Sequence, residues 1–481
     1  MAKFNAAKKT STKTLNHEGE VAYKLTPEMA LYVTVVTTSL SGKFYESADD
    51  RVQRVRELVN KCDPEFVAKL AVYAREEMYL RSIPLVLCVE LAKVHSGDDL
   101  VSRLVGRAVQ RADEITELLA YYQIANERSD TKKLNKLSKQ IQKGLEVAFN
   151  KFDEYQFAKY NRDGEVKLRD ALFLVHPEPR KDGQQKIFDA IANGSLETPY
   201  TWEVELSEAG KAGRDKKEVW EELIASEKVG YMALLRNLRN ILDAEVDSKA
   251  LEQVLKTLSD HERVRKSRQL PFRFLSAYRE IGNHNSPRAS AVMNDLEEAV
   301  IATAENIKGY DMDTTVMIAC DVSGSMQSPI SQRSTVQQFD IGLMLGMLLQ
   351  NRCRSVVTGI FGDEFKVIQV PQKQILSGVT EMHRREGEVG YSTNGYKVID
   401  HMIAQNTKVD KVMIFTDCQM WDSHYDGAHI QKSWEIYKKE VNPDAKMYLF
   451  DLAGYGNVPL SIHSEGVYCI AGWSDKVFDV L

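Results

Sequence analysis

No apolar run in this sequence approaches the ~20 residues needed to cross a bilayer. No membrane role is expected. The opening stretch, MAKFNAAKKTSTKTLNHEGE, is polar and lysine-bearing, with no hydrophobic signal core. It reads as part of a flexible tail over residues 1–24. Cysteine is sparse: Cys62, Cys88, Cys320, Cys353, Cys418 and Cys469 are scattered, with no C-x-x-C pair. In a long chain this suggests reduced thiols and a cytoplasmic protein. The formal net charge is only −6, so composition alone does not advertise nucleic-acid binding. No clean internal sequence repeat is present either.

What is present is a chain of 481 residues, 43% apolar and 27% charged, a soluble globular composition with room for two or three domains. Its charge is unevenly spread. Residues 311–481 hold 15 of the 63 Lys and Arg and 21 of the 69 Asp and Glu. The remainder therefore holds 48 of each. The acidity belongs to the C-terminal third, and basic surface elsewhere must come from local clustering.

The chain has two grammars. From about Thr26 to Ile307 the apolar spacing is helical, as in DDRVQRVRELVNKC, PEFVAKLAVYAREEM, DDLVSRLVGRAVQRADEITELLAYY and SKQIQKGLEVAFNKF. Connections are short and carry Pro, Gly or Asp. This predicts stacked helix pairs of the HEAT type over residues 25–308. Near Gly309 the pattern changes to alternating strands (TTVMIACD, SVVTGIFG, DKVMIFTDC, KMYLFDLAG, GVYCIAG) and helices (FDIGLMLGMLLQNRC, GYKVIDHMIAQN, HIQKSWEIYKKEV). Residues 309–481 should form a doubly wound α/β sheet, which binds ligands at the carboxyl ends of its strands.

DVSGSM sits at such an end, directly after the first strand. Asp321, Ser323 and Ser325 put one carboxylate and two hydroxyls on one turn. Asp417 ends another strand, and Thr393 lies in the GYSTNG loop just before a helix. Oxygen donors of this kind suit a hard divalent cation, Mg²⁺ foremost. The plainer alternative is that the serines cap a helix. The constellation resembles the metal-ion-dependent adhesion site of von Willebrand factor A domains, and the C-terminal half resembles that domain. In A domains an acidic group from a partner completes the metal's coordination, so the resemblance implies an open position for a carboxylate or phosphate. DMDTT, from Asp311, imitates an aspartate-phosphatase motif but precedes its strand instead of following it. VSGSM lacks the glycines of a serine-hydrolase elbow. His383 and His424 have no motif tying them to Ser323.

The segment SKQIQKGLEVAFNKFDEYQFAKYNRDGEVKLRDALFLVHPEP, with YLRSIPLVLCVELAK, GYMALLRNLRNIL and RVRKSRQLPFRFLSAYREI, resembles the TROVE family of Ro-like proteins. An A domain following the helical half agrees with that family's order. The resemblance implies a monomeric ring of helical hairpins closed by the A domain. It also implies a non-catalytic ribonucleoprotein component that binds structured Y-type RNA on a basic outer surface and accepts single-stranded 3′ ends of misfolded RNA. A 3′-to-5′ exoribonuclease is an implied partner. Arg169 and His176 match family positions on the helix VKLRDALFLVHPEP, whereas Phe173 stands where the Ro branch is basic. Lys139 and Lys143 share a helix face. Lys159 lies in the matched Ala-Lys-Tyr, and Arg162 and Lys167 are nearby candidates. Arg236, Arg239, Arg263, Arg265, Lys266 and Arg268 offer further basic surface, and Lys3, Lys8, Lys9 and Lys13 a weak nonspecific attraction. Any of these can equally be a solvated helix face. The competing reading is a metal-dependent protein-interaction scaffold without RNA binding.

Overall fold

The computed structural model describes residues 12–37, 48–127, 137–304, 307, 314–331, 334–421, 429–461 and 464–480. The chain divides into two compact units. One comprises residues 52–208; the other combines residues 1–51 with 209–481.

The first unit is helical. Its helices Pro64–Glu76, Ser82–Val94, Leu100–Ala108, Asp113–Ala125, Lys139–Phe149 and Leu168–Val175 pack on one another. Asp63 caps its helix by accepting from the Glu65 and Phe66 amides, with Pro64 at the first helical position. Asp153 and Gln156 form a reciprocal capping box. The apolar pattern of DDLVSRLVGRAVQRADEITELLAYY is continuous in sequence, yet the backbone breaks between Ala108 and Asp113. The buried Glu114 carboxylate causes the break. It accepts from the Gln110 and Arg111 amides at 2.8 and 3.1 Å and pairs with Arg75 at 2.7 Å.

Helices Leu100–Ala108 and Lys139–Phe149 approach closely because residue 144 is glycine. A β-carbon there would lie 2.5 Å from Val105 Cβ and 2.8 Å from the Ser102 carbonyl oxygen.

The second unit holds the α/β sheet and the helices Lys216–Ala225, Tyr231–Asp243, Ser248–Ser259, Phe272–Gly282 and Ala289–Ala304. The strands are β1 (Lys13–Leu15), β2 (Val21–Lys24), β3 (Thr315–Asp321), β4 (Ser355–Phe361), β5 (Phe365–Val367), β6 (Lys411–Thr416), β7 (Lys446–Asp451), β8 (Asn457–Val458) and β9 (Val467–Ala471). Six of them run in the order β5-β4-β3-β6-β7-β9, all parallel except edge strand β5. β3 and β6 are buried on both faces, as a covered parallel sheet requires. The chain reverses its direction of travel across the sheet between β3 and β6, which is where such folds open a crevice. The helix Gln338–Arg352 seats tightly on the sheet, since a β-carbon on Gly346 would come within 2.9 Å of Cys320 Sγ.

Two polar seams join the helices of this unit to the sheet region. Arg279 makes a two-armed pair with the fully buried Asp340 at 2.6 and 2.7 Å, and His383 Nδ1 lies 2.9 Å from the same carboxylate. Glu297 accepts from the Leu376 and Ser377 amides at the start of the helix Leu376–Arg384.

The expected flexible tail is corrected over its second half. Residues 13–24 are an antiparallel hairpin, β1 with β2, and β2 pairs in turn with β8. Asn16 explains the order. Its Oδ1 accepts from the Glu18 and Glu20 amides, closing the turn. Residues 1–11, with Lys3, Lys8 and Lys9, lie outside the described residues, as do Gly309, Asp311 and His424.

Candidate metal centre and nucleic-acid interface

The metal candidates converge. Asp321 closes β3, and Asp417 follows β6, the adjacent parallel strand, so both carboxylates emerge at the carboxyl ends beside the crossover point. Asp321, Ser323, Ser325, Thr393 and Asp417 are all buried. Asp321 Oδ1 accepts from the Ser323 amide at 2.9 Å, and its Oδ2 accepts from the Thr416 hydroxyl at 2.6 Å. The hydroxyls of Ser323 and Ser325 lie 3.3 Å apart. Asp417 Oδ1 accepts from the Gln419 amide at 2.9 Å. Asp417 Oδ2 is buried without a hydrogen-bond partner. Ser325 and Thr393 open onto a cavity of about 410 Å³ that Glu18, Asp363 and Trp421 also line.

Electrostatics favour a cation here. Burial, and then the neighbouring Asp321, push the Asp417 carboxyl up from its ordinary range; Ser325 and the Gln419 amide pull it back only in part. Burial pushes Asp321 up as well. Two buried carboxylates held this close are costly without a positive charge between them. An orphaned, buried carboxylate oxygen is what an ion would satisfy. Among the described residues no three of His, Cys, Asp or Glu gather at one point, so an ion here would have two carboxylates and would draw its other side-chain ligands from hydroxyl oxygens. Ser323 does not act as a helix cap through its side chain.

The decoys resolve simply. β3 begins at Thr315, after the DMDTT acids. His383 is occupied by the Asp340–Arg279 seam.

The RNA candidates divide. Lys139 and Lys143 stand exposed on the helix Lys139–Phe149. That helix packs on the helix Leu168–Val175, with Gln142 Nε2 donating to the Val175 carbonyl at 3.0 Å. Arg169 is exposed on the second helix, 5.7 Å from the centroid of the exposed Phe173 ring. His176, also exposed, ends that helix in the left-handed conformation at φ 49°. Lys139, Lys143, Arg169 and His176 thus share one packed helix pair. Lys159 is half-buried, 5.7 Å from the rings of both Tyr155 and Tyr160. Arg162 is exposed in the following loop, and Lys167 pairs with Asp163 at 3.3 Å. In the other unit Arg239 pairs with Glu280, Arg263 with Glu227 and Lys266 with Glu262, the solvated-face outcome.

A larger basic feature escaped the motif reading. A groove of about 740 Å³ gathers Arg103, Arg107, Lys143, Lys151 and Arg180 against only two acids, Glu76 and Glu146. Five cations line it with two anions, and Arg103 also pairs with Asp99 at 3.0 Å. Arg107 is held by Glu76 at 2.6 and 2.7 Å and Arg180 by Glu146 at 2.7 Å. Lys151 Nζ donates to the Val109 carbonyl at 2.7 Å, and burial holds its ammonium below the ordinary lysine range. Arg180 is brought in by Asn150, whose Oδ1 accepts from the Arg180 amide and whose Nδ2 donates to the Glu178 carbonyl. The spacing Arg103, Arg107 at i, i+4 was the available signal.

The family profile for the TROVE domain matches residues 34–194 and 192–320, and that for the Ro60 vWA domain matches residues 315–481. The chain belongs to the TROVE family. The family supports a role as an RNA-binding ribonucleoprotein component. The solved Ro (RSR) protein of Deinococcus radiodurans is similar in fold, with a TM-score of 0.63 at 16% identity, covering 94% of this chain and 98% of that one. Telomerase protein component 1 of Mus musculus is 26% identical over 339 residues, 53% of this chain and 13% of that protein. The rat counterpart is 26% identical over 336 residues, 52% of this chain and 12% of its own length. The TROVE chain spans about an eighth of the length of these curated relatives.

Proposed function

We propose that this chain binds structured Y-type RNA and the single-stranded 3′ ends of misfolded RNA, as a cytoplasmic, non-catalytic monomer serving RNA quality control. The observation that carries the reading is the basic groove between helices Leu100–Ala108 and Lys139–Phe149. Phosphate oxygens are recognised by Arg and Lys with no need of base identity, and Arg107 and Arg180 are already oriented by their acids. Lys139 extends the positive face along the groove helix and Arg169 onto the neighbouring one, where His176 adds a hydrogen-bonding ring. Phe173, 51% exposed, offers a ring on which an unpaired base can stack beside Arg169. A 3′-to-5′ exoribonuclease is the enzyme such a component would supply with RNA ends.

The test is a gel-shift titration with a small structured RNA bearing a single-stranded 3′ tail, beside its blunt-ended form, at two salt concentrations. Arg107→Ala/Lys143→Ala and Lys139→Ala/Arg169→Ala variants accompany the wild type. Salt-sensitive, tail-dependent binding that weakens at least about tenfold in the variants supports the reading, since each pair removes two phosphate contacts. Absence of binding at low salt sinks it.

The metal centre supports a second role beside this one. Asp321, Ser323, Ser325, Thr393 and Asp417 would hold Mg²⁺, and that ion would supply a Lewis-acidic position for an acidic group. A chain that bound acidic proteins there and no RNA would be the interaction scaffold; RNA-free pull-downs with and without Mg²⁺ separate the two.

A further inference from the structure

The exposed aromatic rings of residues 52–208 fall in one stretch of chain. Among the described residues of that unit they are Tyr155, Phe173 and Tyr200. Basic residues interleave with them. Tyr155, 44% exposed, opens the helix Glu154–Tyr160, and Lys159 follows one turn later on the same face. Lys159 Nζ lies 5.7 Å from the centroids of both the Tyr155 and Tyr160 rings, and the Arg111 guanidinium stands 4.3 Å from that of Tyr160. Among the described residues no carboxylate pairs with Lys159, whereas Arg111 is held by Asp113 at 2.7 Å. The helix itself is firmly seated. Its buried Phe157 packs against Phe149 and Phe152 with centroids 5.8 and 5.7 Å apart. The Tyr155 hydroxyl donates to the Tyr200 carbonyl at 3.4 Å, and Glu154 Oε1 accepts from the Glu197 amide at 3.4 Å. Tyr155 is thus tethered at its hydroxyl end while much of it meets solvent.

We infer that Tyr155 and Lys159 form a stacking subsite for an unpaired nucleotide, the ring taking the base and the ammonium its phosphate. The inference deepens the RNA reading given above and rests on it. A lone exposed ring is ordinary. A ring with a cation beside it meets both things that a single-stranded nucleotide presents, a π-face and a charged phosphate. A duplex presents only the second, because its bases already stack on one another. The groove cations therefore grip phosphates of either kind of strand, and Tyr155 adds affinity only where bases are free. Every base has a π-face, so this subsite reads strandedness and not sequence.

The experiment uses the full chain, a hairpin RNA with a single-stranded 3′ tail and the same hairpin without it. Wild type, Tyr155→Ala, Tyr155→Phe and Lys159→Gln are titrated by fluorescence anisotropy over a range of salt, each checked for an unchanged thermal midpoint. Tyr155→Ala is expected to weaken the tailed RNA roughly five- to hundredfold, the range of one lost base–aromatic stack. It should leave the tailless hairpin and the salt slope unchanged, since no charge is removed. Lys159→Gln should lower the salt slope for the tailed RNA by about one. Tyr155→Phe keeps a ring and should bind as wild type. With 5-iodouracil in the tail, ultraviolet light should join RNA to the peptide that holds Tyr155, and Tyr155→Ala should lose that product. Unchanged affinity for tailed RNA in Tyr155→Ala overturns the inference. So does an equal loss on both RNAs, or an equal loss in Tyr155→Phe, which would trace the effect to the bond with Tyr200. Failure of wild type to bind either RNA overturns the RNA reading along with it.

Discussion

Asp417 is the residue on which the candidate metal centre turns. Its second carboxylate oxygen is buried and unmatched, and its charge is crowded by Asp321. Asp417→Asn should therefore abolish any rise in thermal midpoint that millimolar Mg²⁺ confers on wild type, while leaving the metal-free midpoint equal or higher. Scanning calorimetry with Mg²⁺ and with EDTA measures both. Asp340 is the opposite case. Burial alone would raise its carboxyl, but the His383 and Arg279 bonds outweigh it and hold it below the ordinary range. A depressed acid stabilises the fold above the unfolded value, about pH 4, and that contribution is lost as pH falls through the lower folded value. Arg279→Ala leaves the buried carboxylate without its guanidinium, with only His383 and the Gln337 amide beside it, and should cost about 3 kcal/mol by urea unfolding at pH 7.

At the scale of elements, helix contact depends on small residues as much as on apolar stripes. Gly144→Ala drives a methyl into Val105 and should cost about 1–3 kcal/mol. It should also spread the groove that joins Lys143 to Arg103 and Arg107, so RNA affinity falls although no charge is removed; paired unfolding and gel-shift titrations check this. The elements themselves were largely legible. Three-and-four spacing located the helices Tyr231–Asp243 and Phe272–Gly282, and unbroken apolar runs located β3 and β6. Two things were not. Glu114 breaks a helix by reaching amides four and three residues earlier, an effect invisible to periodicity. The hairpin of residues 13–24 is too polar to announce itself, since its order comes from Asn16 and from β8, far along the chain. For the sites, DVSGSM holds three of the five candidate donors, Asp321, Ser323 and Ser325, in one line of sequence. The groove is assembled from four stretches, Glu76, Ser102–Gln110, Lys143–Lys151 and Arg180, and no single motif contains it.

Over the whole molecule, charge is divided. The C-terminal third carries the net negative charge and the candidate metal centre, whereas the five-cation groove lies within residues 52–208. Ultraviolet crosslinks to bound RNA should fall mainly before residue 309. Raising salt from 50 to 200 mM should weaken binding on the order of a hundredfold if most of the groove cations meet phosphates. Crosslinks concentrated beyond that residue would contradict this placement.

The hairpin's anchoring has a bearing on how the chain is made. Asn16 meets Met420 across 404 residues of sequence. At about 5–20 residues per second a ribosome needs roughly 20–80 s between making one and making the other. For roughly the second half of that interval the stretch that holds the groove, residues 52–208, has already been synthesised, while the hairpin turn has nothing to sit against. A nascent or truncated chain can thus own its basic groove before it owns the strand ends that carry Asp321 and Asp417. The seating of residues 13–24 becomes a late event in synthesis.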